Sequence, residues 1–216
     1  MTSRLNRIFL FANGELPAPE NLLSLIKEDD YLIAVDGGLN HLVALGLSPD
    51  LIIGDLDSAD AGQIEAFRAQ GIEIRTYPTA KNETDLHLAI DIALGFGPEE
   101  VRVVAALGGR LDQTLANIFI LTRADLAEVD IRLIDGNAEV LLIRKSAKIT
   151  GAIGQRVSLV PLNGPVTGIR TEGLRFPLNN ETLLLENTRG ISNEMIVPTA
   201  YIEIHRGLLL CYHETR

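Results

Sequence analysis

The sequence predicts an α/β protein in two parts: an open parallel-sheet domain over residues 1–137 and an all-β sandwich over residues 138–216. Three observations carry this expectation. In the first part, short apolar strand-like runs alternate with helix-like stretches, as a parallel sheet covered on both faces requires. After Gly136 the helical periodicity stops, and strand-like runs split by Gly, Pro and Asn follow one another. A chain of 216 residues is long enough for one large domain or two modest ones, with a substantial buried core.

The elements follow in order. "RIFLFA" reads as a strand, then "PENLLSLIKE" as a helix with Leu22, Leu25 and Ile26 at helical spacing. "YLIAVDGG" is a strand running into a glycine turn, "LNHLVALG" a helix and "DLIIGD" a short strand. "AGQIEAFRAQG" is a helix closed by Gly71, followed by strand "IEIRTY". The helix "TDLHLAIDIALGFG" carries Leu86, Ile90, Ala93 and Leu94 on one face. Strand "VRVVAAL", helix "LDQTLANIFILTRA" and strand "IRLID" complete the first part. The second part reads as "AEVLLIR", "QRVSLVPL", "VTGIRTEG", "ETLLLEN", "MIVPT", "AYIEIHR" and "LLLCYH".

Charge and composition exclude several partners. The net charge of −10 argues against nucleic acid and anionic lipid, which need a basic face, but leaves room for a nucleotide held through a metal ion. Trp is absent, which weakens any idea of a base-stacking platform. The lone cysteine, Cys211, lies in "GLLLCYH", a buried-strand pattern that suits a reducing cytoplasm. The N-terminal stretch lacks the apolar core and cleavage site of a signal peptide. No apolar run approaches the ~20 residues that cross a bilayer. These features predict a soluble cytoplasmic protein.

In an open parallel sheet, ligands bind outside the carboxyl ends of the strands. The acidic residues and glycines of the first part collect there. "LIAV" ends in Asp36-Gly37-Gly38, and "LII" in Gly54-Asp55-Leu56-Asp57-Ser58. Asp85 opens a helix behind Thr84, and "VRVVAAL" ends in Gly108-Gly109-Arg110-Leu111-Asp112. N-capping and the helix dipole account for any one of these taken singly. Asp55 and Asp57 together are different, because two carboxylates at one turn repel each other. A hard cation such as Mg²⁺, which takes oxygen ligands and keeps waters and phosphates in its shell, removes that penalty. Glycines let backbone amides approach an anion at helix N-termini, and Arg110 adds a fixed-geometry donor for phosphate oxygens. Carboxylates for metal with amides and a guanidinium for phosphate describe a Mg–nucleotide site. Neither GxxxxGK[ST] nor a GxGxxG after the first strand is present. Asn13-Gly14 fits either an ordinary turn or a base or ribose contact. His41, His87, His205 and His213 form no metal-binding spacing and read as structural or surface residues.

"DGG" at 36–38, "GDLDS" at 54–58, "KNETDLHLAI" at 81–90 and "GGRLDQTLANI" at 108–118 resemble, in order and approximate spacing, the thiamine pyrophosphokinases. "VSLVPL", "VTGIRTEGLRFPL" and "GISNE" resemble that family's C-terminal β domain, so the likeness spans nearly the whole chain. The resemblance implies an N-terminal domain for ATP and Mg²⁺, a C-terminal β-sandwich, and a homodimer with thiamine near the subunit interface. It implies diphosphate transfer from ATP to the thiamine hydroxyl, giving thiamine diphosphate and AMP. By motif, Asp55, Asp57 and Asp85 would face the metal. Asp112 would lie close to metal and phosphate or to the thiamine hydroxyl. With Asp36 on the same rim, Gly37, Gly38, Ser58, Thr84, Gly109, Arg110 and Gln113 would contact phosphates or ribose. Ser192 and Asn193 would contact thiamine. Asn82 stands where relatives often carry an acid, and the Trp of some eukaryotic members is missing. Alternatives are a diphosphokinase of similar fold acting on another alcohol such as a pterin, a nucleotide- or thiamine-binding sensor, and a metal-dependent phosphohydrolase.

Overall fold

A computed structural model describes residues 5–56, 60–78, 80 and 82–215. The chain divides into two units, Met1–Gly136 and Asn137–Arg216.

In the first unit, strands β1 (Arg7–Phe11), β2 (Tyr31–Val35), β3 (Leu51–Gly54), β4 (Glu73–Thr76), β5 (Glu100–Val104) and β6 (Asp130–Ile134) lie in the order β6-β5-β1-β2-β3-β4. Every neighbouring pair is parallel. Helices α1 (Pro19–Leu23), α2 (Gly38–Ala44), α3 (Ala61–Ala69), α4 (Asp85–Gly95) and α5 (Leu111–Ile120) connect the strands. The continuous apolar runs are buried: Ile8, Leu10, Phe11, Ile33, Leu51, Ile52 and Ile53 have no accessible surface. Each such side chain contributes about 1.5–3 kcal/mol by leaving water. This burial makes the sheet a rigid platform for whatever its loops carry.

Two helices differ from the sequence expectation. The periodic pattern predicts a helix through residue 28, yet α1 ends at Leu23. The Ser24 hydroxyl donates to the Asn21 carbonyl, and the Lys27 amide donates to Asp30, whose carboxylate also pairs with Arg7 at 2.7 Å. These local bonds redirect the chain before Leu25, which is exposed. Helix α5 ends at Ile120 and a 3₁₀ turn follows at Ala124–Leu126.

The second unit is a sandwich of antiparallel strands, with layer order β12-β9-β14-β7 facing β11-β10-β13-β8. These are β7 (Ala138–Ile143), β8 (Ser146–Thr150), β9 (Arg156–Pro161), β10 (Val166–Glu172), β11 (Asn179–Leu183), β12 (Asn193–Glu194), β13 (Thr199–Glu203) and β14 (Leu209–Glu214). Its core joins Leu141 and Ile143, Val157 and Leu159, Ile169, Leu183, Ile202 and Leu209 with Cys211. Strand β8 is a strand the apolar pattern did not reveal, because Ile149 is its one fully buried residue. The run "MIVPT" is not one strand: β12 precedes it, Ile196 and Val197 are exposed, and Thr199 opens β13.

Candidate active site

The chain leaves β1 in one direction to build β2, β3 and β4, then returns to the other side of β1 for β5 and β6. That reversal makes the carboxyl end of β1 the topological switch point, where parallel α/β sheets open a crevice. Register levels the strand ends there, with Phe11 beside Ala34 on β2 and Val104 on β5. A pocket of about 250 Å³ opens at this point. Asn13, Asp36, Thr84, Asp85, Gly108 and Gln113 are among its lining residues. Four βα connections therefore contribute to one cavity.

The sequence placed Asp36, Thr84, Asp85 and Gln113 in the site, and all four reach the pocket wall. Thr84 also caps α4, its hydroxyl accepting the His87 amide at 3.2 Å, and Asp85 is the first helical residue. Capping and site-building are thus both true of this turn. Asp55 follows β3 directly and is half-buried, outside the pocket lining. Asp57 and Ser58 lie outside the described residues, as does Lys81 of the "KNETD" segment.

The glycines have steric reasons. A Cβ on Gly38 would stand 1.8 Å from the Phe11 carbonyl oxygen, and one on Gly37 would stand 2.1 Å from Asn13 Oδ1. The DGG turn is therefore bare so that α2 can start against the end of β1. Gly108 and Gly109 are both left-handed, with φ of 81° and 62°, a pair of conformations that ordinary residues resist. Arg110 then caps α5 in an extended conformation.

Arg110 and Asp112 find each other. The guanidinium donates to both carboxylate oxygens at 3.1 and 2.6 Å, and both side chains are exposed outside the pocket lining. The Arg110 hydrogen bond, aided by the Gln113 amide, holds the Asp112 carboxyl below the usual carboxylate range. Such a group accepts hydrogen bonds well but is a weak base near neutral pH.

Sequence reading missed the backbone strain of the rim and several of its groups. Asp36, Leu56 and Ala105 are left-handed non-glycines, at φ of 51°, 60° and 55°, each just beyond a strand end. That costs about 1–2 kcal/mol per residue, and such strain gathers at binding sites. The Asn117 amide donates to the Ala106 carbonyl at 2.8 Å and holds the pocket wall. His41 is structural, bonded through Nε2 to the Gly14 carbonyl at 2.9 Å. Asp135, at the end of β6, is pushed above the ordinary carboxylate range by burial and secondarily by Glu15. Glu15 and Asp135 carried no motif, and nothing local in the sequence marked them.

In the second unit, Ser192 is exposed and left-handed at φ 59°, with its amide donating to the Ser158 hydroxyl at 3.0 Å. Asn193 is buried. Its Oδ1 accepts the amides of Phe176 at 3.0 Å and Glu194 at 2.9 Å, while its Nδ2 donates to the Phe176 carbonyl at 2.8 Å. The Asn193 amide is thereby committed to the backbone.

The donor chemistry suits a Mg–phosphate complex better than a metal cage. Among the described residues no three His, Cys, Asp or Glu side chains converge as a self-sufficient metal site. Mg²⁺ commonly takes one or two carboxylates and completes its octahedron with phosphate and water. Half-buried Asp36 and Asp85 at the pocket, with Asp55 after the neighbouring strand, provide that kind of oxygen set.

The switch-point pocket and the all-β second unit define the class first: a two-unit α/β protein with a ligand crevice at the carboxyl edge of its parallel sheet. Family models narrow it. The thiamin pyrophosphokinase catalytic domain matches residues 22–134, and the vitamin B1 binding domain of the same family matches residues 141–209. The chain is similar to the thiamine pyrophosphokinase of Bacillus subtilis (strain 168), 28% identical over 213 residues, covering 98% of this chain and 100% of that one. The crystal structure of thiamine pyrophosphokinase from Bacillus subtilis superposes with a TM-score of 0.86 at 27% identity, over 97% of this chain and 99% of that one. The thiamin pyrophosphokinase of Geobacillus thermodenitrificans, 23% identical, shares the fold with a TM-score of 0.83 over 97% of this chain and 98% of that one. This chain belongs to the thiamin pyrophosphokinase family.

Proposed function

We propose that the protein transfers the terminal diphosphate of ATP to the hydroxyl of thiamine, giving thiamine diphosphate and AMP. The observation that carries this reading is the convergence of Asp36, Thr84, Asp85, Gly108 and Gln113 on one switch-point pocket in a member of this family. The thiamine oxygen forms a bond to the β-phosphorus. The bond from that phosphorus to the α–β bridging oxygen breaks, its electron pair leaves with AMP, and the hydroxyl proton passes to solvent water.

The chain's own groups bind and orient. Asp55, Asp57 and Asp85 would hold Mg²⁺, which when bound neutralises charge on the phosphate oxygens. Gly37, Gly38, Ser58, Gly109, Arg110 and Gln113 are assigned to phosphate and ribose contacts. Asp112, with its lowered pKa, suits orienting the hydroxyl by accepting its hydrogen bond more than removing its proton. The acidic rim also attracts the cationic thiazolium ring. In the β unit, exposed Ser192 is the thiamine contact, and the neighbouring Asn193 holds the Phe176 backbone.

The reading includes a cytoplasmic homodimer. Helix α5 has no buried residue and lines up Leu111, Leu115 and Phe119 four residues apart, exposed by 71%, 45% and 50%. A second copy of the chain would cover that stripe. Light scattering should give twice the chain mass, and Leu115→Glu with Phe119→Glu should give monomers.

The deciding assay combines ATP, Mg²⁺ and thiamine and scores AMP and thiamine diphosphate together. Both products should appear in equal amounts, stop on chelation and return with Mg²⁺. Phosphate release without an acceptor, or AMP formed with a pterin alcohol but not with thiamine, would overturn the reading.

A further inference from the structure

The β unit buries a polar cluster that the catalytic reading does not use. His213, on β14, is 1% exposed. Its Nδ1 lies 3.1 Å from Glu139 Oε1 on β7, its cross-strand partner, and its Nε2 lies 3.1 Å from Gln155 Oε1, in the turn before β9. From β9 it faces apolar Val157, its register partner there.

The proton positions follow from a backbone donor. Gln155 Oε1 also accepts the Ala152 amide at 2.8 Å, so this atom is the acceptor oxygen and His213 Nε2–H must donate to it. If the ring held no second proton and Glu139 were ionised, two lone pairs would oppose each other at 3.1 Å. One proton therefore lies between Nδ1 and Oε1, whether the pair is imidazolium–carboxylate or imidazole–carboxylic acid.

Gln155 passes this anchor onward. Its own carbonyl accepts the Met195 amide at 2.9 Å, and the Gly154 amide donates to the Met195 carbonyl at 2.8 Å. Met195 follows β12 directly, and β12 pairs with β9 through Asn193↔Val157 and Glu194↔Arg156. The start of the 151–155 turn lies directly against both groups, since a Cβ on Gly151 would stand 2.0 Å from Gln155 Oε1 and 2.8 Å from His213 Nε2. A continuous chain of bonds thus runs from Glu139 through His213 and Gln155 to the segment carrying Ser192 and Asn193.

We propose that His213 is a positioning residue for the vitamin: proton-bridged to Glu139 and bonded to Gln155, it sets the 192–195 segment and thereby the affinity for thiamine, without touching substrate. This rests on the assignment of Ser192 to thiamine.

The test compares wild type, His213→Leu, Glu139→Gln and Glu139→Leu in the full chain. His213→Leu should raise KM for thiamine about tenfold, leave kcat and KM for ATP within about twofold, and speed hydrogen exchange of the Met195 amide. Glu139→Gln, whose amide N–H can donate to Nδ1, should keep KM for thiamine within about twofold of wild type, whereas Glu139→Leu, which can make no bond to Nδ1, should raise it several-fold. If His213→Leu does not fold, the Glu139→Gln and Glu139→Leu pair and a long-range ¹H–¹⁵N spectrum of the wild-type ring still decide. An unprotonated Nε2, or a KM for thiamine that is the same in Glu139→Leu as in wild type, overturns the proposal. A wild-type protein inactive on thiamine ends the functional reading instead, while Met195 exchange and the ring spectrum still judge the clamp.

Discussion

The carboxyl rim of the parallel sheet and the 190–195 segment of the β unit both place polar residues beside glycine, and they use them in opposite ways. At the rim, Asp36, Asp85 and Gln113 face an open pocket, and the glycines clear space for backbone. In the β unit, the Asn193 side chain is buried against Phe176 and functions as an internal strut. The difference comes from topology. Every βα loop of a parallel sheet emerges on one edge, so polar side chains there share a crevice. A sandwich turn faces its own neighbours, and a buried amide must satisfy its bonds among them.

Breaking the rim should have the largest effect on catalysis. Asp85→Asn should lower kcat/KM by about 10²–10³-fold, as loss of an electrostatic group at a reacting phosphate does. Its melting temperature should hardly move, since a carboxylate at a helix N-terminus is worth about 0.3–1 kcal/mol. Wild-type turnover in this variant would remove Asp85 from the site.

The β segment should respond in the reverse sense. Asn193→Ala leaves the Phe176 amide and carbonyl without their partner and should cost about 1–3 kcal/mol in denaturant unfolding. Ser192→Ala, at an exposed position, should leave stability within about 0.5 kcal/mol and raise KM for thiamine a few-fold. If Asn193→Ala were stable and selectively impaired in thiamine binding, the contrast between the two regions would collapse.

The smallest effect is a shift in pH profile. Because Arg110 lowers the Asp112 pKa, the carboxylate persists to lower pH than an ordinary Asp. Any activity that needs ionised Asp112 is then present above the ordinary carboxylate range and lost as pH falls through the lowered value. Arg110→Gln should move the acid limb of kcat to higher pH. An unmoved limb would separate Asp112 from the rate-limiting chemistry.

Much of this was legible in the chain. Alternating apolar and helical stretches foretold the parallel sheet, because strand and helix periods are local properties. Asp36, Thr84, Asp85 and Gln113, which line the switch-point pocket, could be singled out from the sequence since each sits within a few positions of a strand or helix end. Less could be read where residues meet across long separations. His213 looked isolated, yet it is bonded to Glu139 and Gln155, 74 and 58 positions away. Asn193 looked like a ligand contact because its use by Phe176, 17 positions earlier, leaves no local trace. Strand β8 escaped because β13 completes it, pairing Thr150 through Ser146 with Thr199 through Glu203.

By itself, then, the sequence determined the alternation of elements, the change of rhythm after Gly136 and the acids and glycines at the strand ends, all short-range consequences of side-chain period and turn chemistry. Tertiary structure alone decided which of those polar groups face open space and which are joined to distant backbone. Burial and hydrogen-bond partnership are properties of three-dimensional neighbours, and chain distance does not encode them.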